Sequence, residues 1–355
     1  MRELKVGLGK NSYEILIGKD ALGEIPNAVT GLACGKLALV TDENVFRIHG
    51  ERMEKLLDET GISRQVIVLK AGEESKSFES LAAIHGALAR AQFSRNDLLI
   101  AFGGGVVGDI CGFAAATYMR GVSYVQIPTT LLAQVDSSIG GKTAINIPEG
   151  KNLVGAFHQP VKVLIDTALL ETLPEREWGC GWAEIIKYGA ILSRELFERL
   201  ESPEKSAGDI ESIIFECCDI KRRVVETDEL DRGLRMLLNF GHTFGHAIEA
   251  LGGFKKFLHG EGVAIGMAMA AKAGEAEGFT EPGAFEKIEK KLKEFRLPVS
   301  APYSNEEIIS AMMSDKKNEN GALNLILLKR LGEAGVRKMS RQELSSLMER
   351  MWENA

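Results

Sequence analysis

The stretch DLLIAFGGGVVGDICGFAAATYMRG, residues 97–121, decides how this chain folds. It opens with a short apolar run of strand length, passes three consecutive glycines, and continues as an apolar segment too long for a strand. Strand, glycine turn and helix in that order are half of a βαβ unit. Gly103, Gly105 and Gly108 satisfy the spacing G-x-G-x-x-G. Glycines there let backbone N–H groups approach a diphosphate, and the helix N-terminus adds a favourable dipole. The acidic residue that an ordinary Rossmann turn carries about 20 positions later is missing, because that region reads VQIPTT. The strand is also not the first of the fold. Asp109, directly after Gly108, is placed to face a ligand at the turn.

The pattern repeats on both sides of this turn. KLALVT (36–41), RQVIVLK (64–70), SYVQIP (123–128) and VKVLID (161–166) read as strands, and ERMEKLLDETG (51–61) and SLAAIHGALARA (80–91) as helices. Alternation of this kind implies a parallel sheet, which binds ligands at the carboxyl ends of its strands. From about Pro174 the texture changes. EREWGCGWAEIIKYGAIL (175–192), IESIIFECCDIKRRVVETDE (210–229) and FGHTFGHAIEALGG (240–253) carry helical spacing, and Val263–Gly278 is an Ala- and Met-rich packed helix. Only LNLILL (323–328) and GVRKM (335–339) break the helical texture.

The chain has 355 residues, so two domains are expected at roughly 100–200 residues each. Its net charge of −7 argues against a general nucleic-acid binder, whose footprint is basic. A local basic pocket for a small anion is still allowed. Five cysteines (34, 111, 180, 217, 218) with no CxxC pair point to a reducing compartment. The N-terminal MRELKVGLGKNSYEI lacks the apolar core of a signal peptide. No run approaches the ~20 apolar residues that span a bilayer. The expected location is the cytoplasm, with no membrane partner.

Two further segments carry chemistry. VDSSIGGKTAINIPEGKN (135–152) ends its glycine pair in Gly141-Lys142-Thr143, like the tail of a P-loop. A P-loop needs Gly at 136, where this chain has Asp, so an NTPase reading fails. Asp136, Lys142, Lys151 and Asn152 remain, and lysine ammonium groups beside amides suit phosphate. The second segment holds three of the six histidines: His242, His246 and His259. His242 and His246 are i,i+4 on a helix and share a face, and the glycine-rich turn LGGFKKFLHGEG can fold His259 back onto it. Two imidazoles, a carboxylate and an open position make a catalytic zinc site. HTFGH is not HExxH, so the metalloprotease signature is absent. The candidate carboxylates are Glu184, Glu249 and Glu261. Glu184 sits among Trp182, Ala183, Ile185 and Ile186, with Lys187 at i+3, and a buried carboxylate needs a partner or a metal.

Taken together, GGGVVGDICGFAAATYMRG, QIPTTLLAQVDSSIGGKTAIN, GKNLVGAFHQP, AEIIKYG, LRMLLNFGHTFGHAIE, LHGE and DKKN resemble the 3-dehydroquinate synthase family of sugar-phosphate cyclases, over nearly the whole chain. The resemblance implies an α/β fold: an N-terminal Rossmann-like parallel-sheet domain that binds NAD (1–176), then an all-α metal- and substrate-binding domain (177–355). It implies conversion of 3-deoxy-D-arabino-heptulosonate 7-phosphate to 3-dehydroquinate and phosphate, by transient oxidation, phosphate elimination, re-reduction and aldol closure. NAD+ and a divalent metal, Zn2+ or Co2+, are the implied cofactors.

The resemblance also assigns residues. Glu184, His242 and His259 are the implied metal ligands. His246, Lys187, Asp136 and Asn239 are implied in catalysis. Arg120, Lys142, Asn152, Lys221, Arg235 and Lys316 are implied in substrate binding, with Arg120 crossing to the active site of a second subunit in a homodimer. Asp42, Glu73, Lys76, Gly105, Val106, Val107, Gly108, Asp109, Thr129, Thr130, Lys142, Lys151, Leu169, Leu170, Glu171 and Thr172 are the implied NAD contacts. One departure is visible: Asp231 stands where the family commonly has Glu, which keeps the charge and shortens the reach. The rivals are another sugar-phosphate cyclase, a metal-dependent polyol or glycerol-phosphate dehydrogenase, and a silent homologue that only binds. Net NADH formation separates a dehydrogenase from a cyclase. Retention of all three metal-type residues counts against the silent homologue.

Overall fold

The computed structural model describes residues 1–32, 34–314 and 322–353. The chain forms two compact units, Met1–Pro174 with Ile214–Leu230, and Glu175–Ile213 with Asp231–Ala355. The division is therefore not a single cut in the chain. Residues 214–230 group with the first unit because their side chains are tied there. The Cys218 thiol donates to the Gln134 carbonyl oxygen (3.3 Å), Lys221 pairs with Asp136, and the Arg2 guanidinium lies 3.8 Å from the centre of the Phe215 ring. Helical spacing shows that a segment has an apolar face, not which core receives it.

The first unit contains strands β1 (Arg2–Val6), β2 (Tyr13–Gly18), β3 (Lys36–Asp42), β4 (Ser63–Leu69), β5 (Leu98–Gly103), β6 (Ser123–Pro128), β7 (Lys142–Ile147), β8 (Gly150–Phe157) and β9 (Lys162–Asp166). Its helices are α1 (Ile25–Thr30), α2 (Glu43–Asp58), α3 (Phe78–Arg90) and α4 (Gly105–Thr117). Seven strands form one sheet in the order β1-β2-β9-β6-β5-β3-β4. All neighbours are parallel except the antiparallel edge pair β1–β2. Central strands carry apolar residues on both faces, as parallel strands covered by helices must. Leu37, Leu39, Leu98 and Ile100 join a core with Met53 and Leu57 of α2. Ala38, Val40, Leu99 and Ala101 face the other way, onto Leu81 and Ile84 of α3 and Ile110 of α4. β3 lies between β4 and β5, so the chain reverses its direction of travel across the sheet there. That is the switch point at which such sheets open a crevice. The register matches Asp42 to Leu69, Thr41 to Phe102 and Gly103 to Pro128. The residues following β3, β4, β5 and β6 thus leave the sheet along one edge.

The second unit is mostly helical: α5 (Glu175–Leu192), α6 (Arg194–Arg199), α7 (Pro203–Ala207), the start of α8 (Ile210–Thr227), α9 (His242–Leu251), α10 (His259–Ala276), α11 (Ala284–Glu294), α12 (Asn305–Ser314) and α13 (Arg341–Glu353). It is not wholly α. β10 (Ala322–Arg330) and β11 (Glu333–Ser340) form an antiparallel hairpin that contains both segments whose sequence breaks the helical texture. α9 and α10 meet through glycine. A Cβ added at Gly245 would lie 2.8 Å from the Gly262 carbonyl oxygen, and one at Gly266 would fall directly on the Gly241 carbonyl oxygen. Backbones approach this closely only where side chains are missing.

Candidate functional site

In the first unit the polar residues collect at the carboxyl edge of the sheet. Lys76, in the turn after β4, is buried, and its ammonium donates to Asp109 Oδ2 (2.6 Å) and Asn152 Oδ1 (2.5 Å). A buried lysine without such partners would be costly. Burial pushes the Asp109 carboxyl up, and the Lys76 charge opposes it. Asp109 is therefore an ion-pair partner as well as a neighbour of the glycine turn. α4 begins at Gly105, with Val106 half-buried and Val107 in the core. A Cβ at Gly108 would lie 3.0 Å from Gln126 Oε1, so glycine there permits tight packing of helix on strand. The Thr129 amide donates to the Gly103 carbonyl oxygen (3.0 Å), and the Ala133 amide donates to Thr130 Oγ1 (3.2 Å). Asp42 caps α2 by accepting from the amides of Asn44 (2.9 Å) and Val45 (3.1 Å).

The lysine segment is not a simple loop: its second half is the β7–β8 hairpin. Lys142 is exposed at the start of β7, Lys151 is half-buried in β8, and Asn152 takes the left-handed φ of 55°. Asn146, which is not among the residues expected from the sequence, organises this region. Its amide N–H donates to the Lys76 carbonyl oxygen (2.8 Å), its side-chain amide donates to Glu73 (2.7 Å), and its Oδ1 accepts from the Asn152 amide (3.0 Å). Its only sequence signal is a polar residue inside the alternation TAINI. Asp136 lies on a π-helical turn, Ala133–Ser137, and Lys221 donates to its carboxylate and to its carbonyl oxygen (2.7 Å). Leu169 and Leu170 are buried core side chains, whereas Glu171 and Thr172 are exposed, on Lys19 (3.2 Å) and His49 (2.9 Å) respectively. Arg120 is exposed, and both it and Met119 have left-handed φ, 63° and 49°.

The second unit brings Glu184, His242 and His259 together. Their ligand atoms all lie within 4.8 Å of one another. Glu184 is fully buried on α5 and pairs with Lys187, one turn on. His242 and His259 are the first residues of α9 and α10. The close contact of Gly260 with the Cys180 backbone sets the start of α10 against α5, one turn before Glu184. Nε2 of His242 lies 3.6 Å from Glu184 Oε1, and Nε2 of His259 lies 3.7 Å from it. Each Nδ1 is engaged elsewhere: that of His242 with the Phe240 carbonyl oxygen (3.2 Å), that of His259 with Glu249 (2.9 Å). Burial, reinforced by the Lys187 charge, holds His242 well below the usual histidine range. Burial also pulls His259 down, but Glu249 and Glu184 outweigh it and hold that ring above. Two imidazoles with Nε2 turned onto one carboxylate are the donors that zinc or cobalt takes, so these residues fit a divalent transition metal.

Of the other expected residues, His246 adjoins this cluster. Ring centres of His246 lie 5.5 Å from His242 and 6.0 Å from His259. Asn239 is half-buried three residues before His242, and Arg235 is buried. Asp231 has a left-handed φ of 56°. Lys316 lies outside the described residues. Of the three candidate carboxylates, Glu261 is excluded from the metal group. It takes a bidentate pair from Arg176 (2.7 Å each) and accepts from the Leu258 amide (2.8 Å), capping α10.

The family described as 3-dehydroquinate synthase N-terminal matches residues 66–180, and that described as 3-dehydroquinate synthase C-terminal matches 181–318. A 3-dehydroquinate synthase of Clostridium acetobutylicum is 47% identical over 348 residues, covering 97% of this chain and 98% of the relative. Among solved structures, 2-deoxy-scyllo-inosose synthase complexed with carbaglucose-6-phosphate, NAD+ and Co2+ superposes with a TM-score of 0.89 at 23% identity, covering 98% of this chain and 99% of that one. A 2-epi-5-epi-valiolone synthase from Streptomyces hygroscopicus, with NAD+ and Zn2+ bound, gives 0.86 at 27% identity, covering 97% of each chain.

Proposed function

The chain belongs to the 3-dehydroquinate synthase family, and from that premise we propose that its glycine-turn unit binds NAD+ and that Glu184, His242 and His259 hold a divalent metal. The reaction is conversion of 3-deoxy-D-arabino-heptulosonate 7-phosphate to 3-dehydroquinate with release of phosphate. The observation that carries the metal reading is the meeting of those three side chains, from three helices, with both Nε2 atoms turned to one buried carboxylate. Identity separates the cyclases: 47% to a 3-dehydroquinate synthase against 27% to the valiolone synthase and 23% to the inosose synthase. The binding of NAD+ with Co2+ or Zn2+ by those two cyclases supports the same cofactor pair here.

When bound, NAD+ supplies a reversible hydride acceptor and the metal a Lewis acid for a substrate hydroxyl. The chain's own residues do the rest. The Asp42, Glu73–Lys76, Gly105–Asp109, Thr129–Thr130, Lys151 and Leu169–Thr172 segments hold the dinucleotide, with Leu169 and Leu170 acting through backbone. Lys142 and Asn152 neutralise and orient the phosphate. Lys221 and Arg235 receive the carboxylate, and Asp136, Lys187 and Asn239 orient the hydroxyls. His246, whose ring neighbours both metal-type histidines, relays the proton of the elimination. Arg120, presented by two left-handed residues, completes the site of a second subunit, so the working form is a homodimer, and it acts in the cytoplasm. Orientation and charge neutralisation account for much of the rate.

The test is to supply the heptulosonate phosphate with NAD+ and Zn2+ or Co2+. Stoichiometric phosphate release with no net absorbance at the NADH wavelength is expected. NADH accumulating while the phosphate ester stays intact would replace this reading with a dehydrogenase.

A further inference from the structure

We propose that Glu249 is a positioning residue, holding His259 by Nδ1 so that its Nε2 faces Glu184 and His242. The proposal rests on the metal reading above. Glu249 is 2% exposed, and its Oε1 lies 2.9 Å from His259 Nδ1. It follows His242 and His246 at i+7 and i+3 on α9, on the helix face that meets α10. Room for it is made by a glycine. A Cβ at Gly262, one turn after His259, would lie 3.0 Å from Glu249 Cγ and 3.3 Å from Oε1. The carboxylate is thus fixed between two helices, and the ring it touches cannot turn without losing that partner.

A neutral imidazole carries one N–H. A carboxylate at Nδ1 takes that hydrogen, which leaves the Nε2 lone pair for a cation and raises its basicity. His242 has the same arrangement with a weaker acceptor, the Phe240 carbonyl oxygen at 3.2 Å. A competing arrangement exists, because ligand atoms of His246, Glu249 and His259 also lie within 4.8 Å of one another. That grouping would make Glu249 a ligand of a second ion. The 2.9 Å contact favours the supporting role, since an Nδ1 that carries the shared hydrogen has no lone pair left for a second ion.

The experiment is Co2+ titration of the full-length, chelator-stripped protein, followed by visible absorption, with Zn2+ affinity measured by competition against a chromophoric chelator. Wild type, Glu249→Gln, Glu249→Asp and His242→Ala are compared. One equivalent is expected to bind to wild type, with affinity reduced ~10–100-fold in Glu249→Gln and partly recovered in Glu249→Asp, which keeps the charge. If His242→Ala binds Co2+ as wild type does, the metal reading fails. If His242→Ala loses the metal while Glu249→Gln stays within twofold of wild type, the positioning role alone is overturned. Two equivalents in wild type and one in Glu249→Gln would also overturn it, by making Glu249 a ligand. Should Glu249→Gln not fold, Glu249→Asp carries the test, and unchanged affinity there overturns the proposal.

Discussion

His242→Ala is expected to lower kcat by ~10³-fold or more, equivalent to about 4 kcal/mol of lost transition-state stabilisation, while the far-ultraviolet circular dichroism stays that of the folded chain. The magnitude follows from what the residue does in the proposed site. A three-ligand centre that loses one imidazole no longer fixes its cation, and the polarisation of the bound hydroxyl goes with it. Stripping wild type with a chelator should reproduce the loss, and adding Zn2+ or Co2+ should restore wild type but not the variant. His246→Ala separates two roles of neighbouring rings. It should lower kcat while retaining the metal, because His246 is placed here in proton transfer rather than coordination. Full turnover in stripped wild type would sink the metal reading. Loss of metal from His246→Ala with retention in His242→Ala would exchange the two assignments.

The second large effect concerns packing. Gly266→Ala places a Cβ on the Gly241 carbonyl oxygen and 2.8 Å from the Gly245 amide nitrogen. Neither obstacle is a flexible side-chain end, so α9 and α10 have to separate. Overpacking of this kind costs about 3 kcal/mol, read as a fall of roughly 6–12 °C in Tm. Because His242 and His259 open the two helices that part, metal affinity should fall with it. Gly179→Ala on α5 is the control: its Cβ meets only Leu297 Cδ2, at 3.6 Å. Alanine is the better helix former by roughly 0.5–1 kcal/mol, so this variant should be neutral or more stable. A Gly266→Ala protein that melts with wild type would show that the crossing is looser than described.

Much of the parallel sheet is legible from apolar runs. KLALVT, RQVIVLK, DLLIAF, SYVQIP and VKVLID correspond to β3, β4, β5, β6 and β9. The antiparallel pair β1–β2 and the hairpin strand β8 are not legible. RELKV is mostly polar because β1 is a solvated edge, and YEILIG alternates buried with half-buried positions over its first four residues. β8 reads as a polar loop because its side chains stay half-exposed. At the site, residue types and spacing pointed to three histidines and three carboxylates, but the sorting of those carboxylates is tertiary. Glu261 is claimed by Arg176, 85 positions away, and Glu249 by His259. Lys76 and Asp109 are 33 positions apart, and only the shared edge of the sheet brings them together. No periodicity carries such information.

The return of residues 214–230 to the first unit has a consequence for how the protein can be taken apart. A gene split after codon 174 would deliver a sheet lacking its own Lys221, the ammonium that donates to the Asp136 carboxylate and carbonyl oxygen. The Gln134 carbonyl would likewise lose the Cys218 thiol. Swapping modules between relatives therefore calls for three junctions, after residues 174, 213 and 230, with the segment that contains Lys221 travelling alongside the first unit.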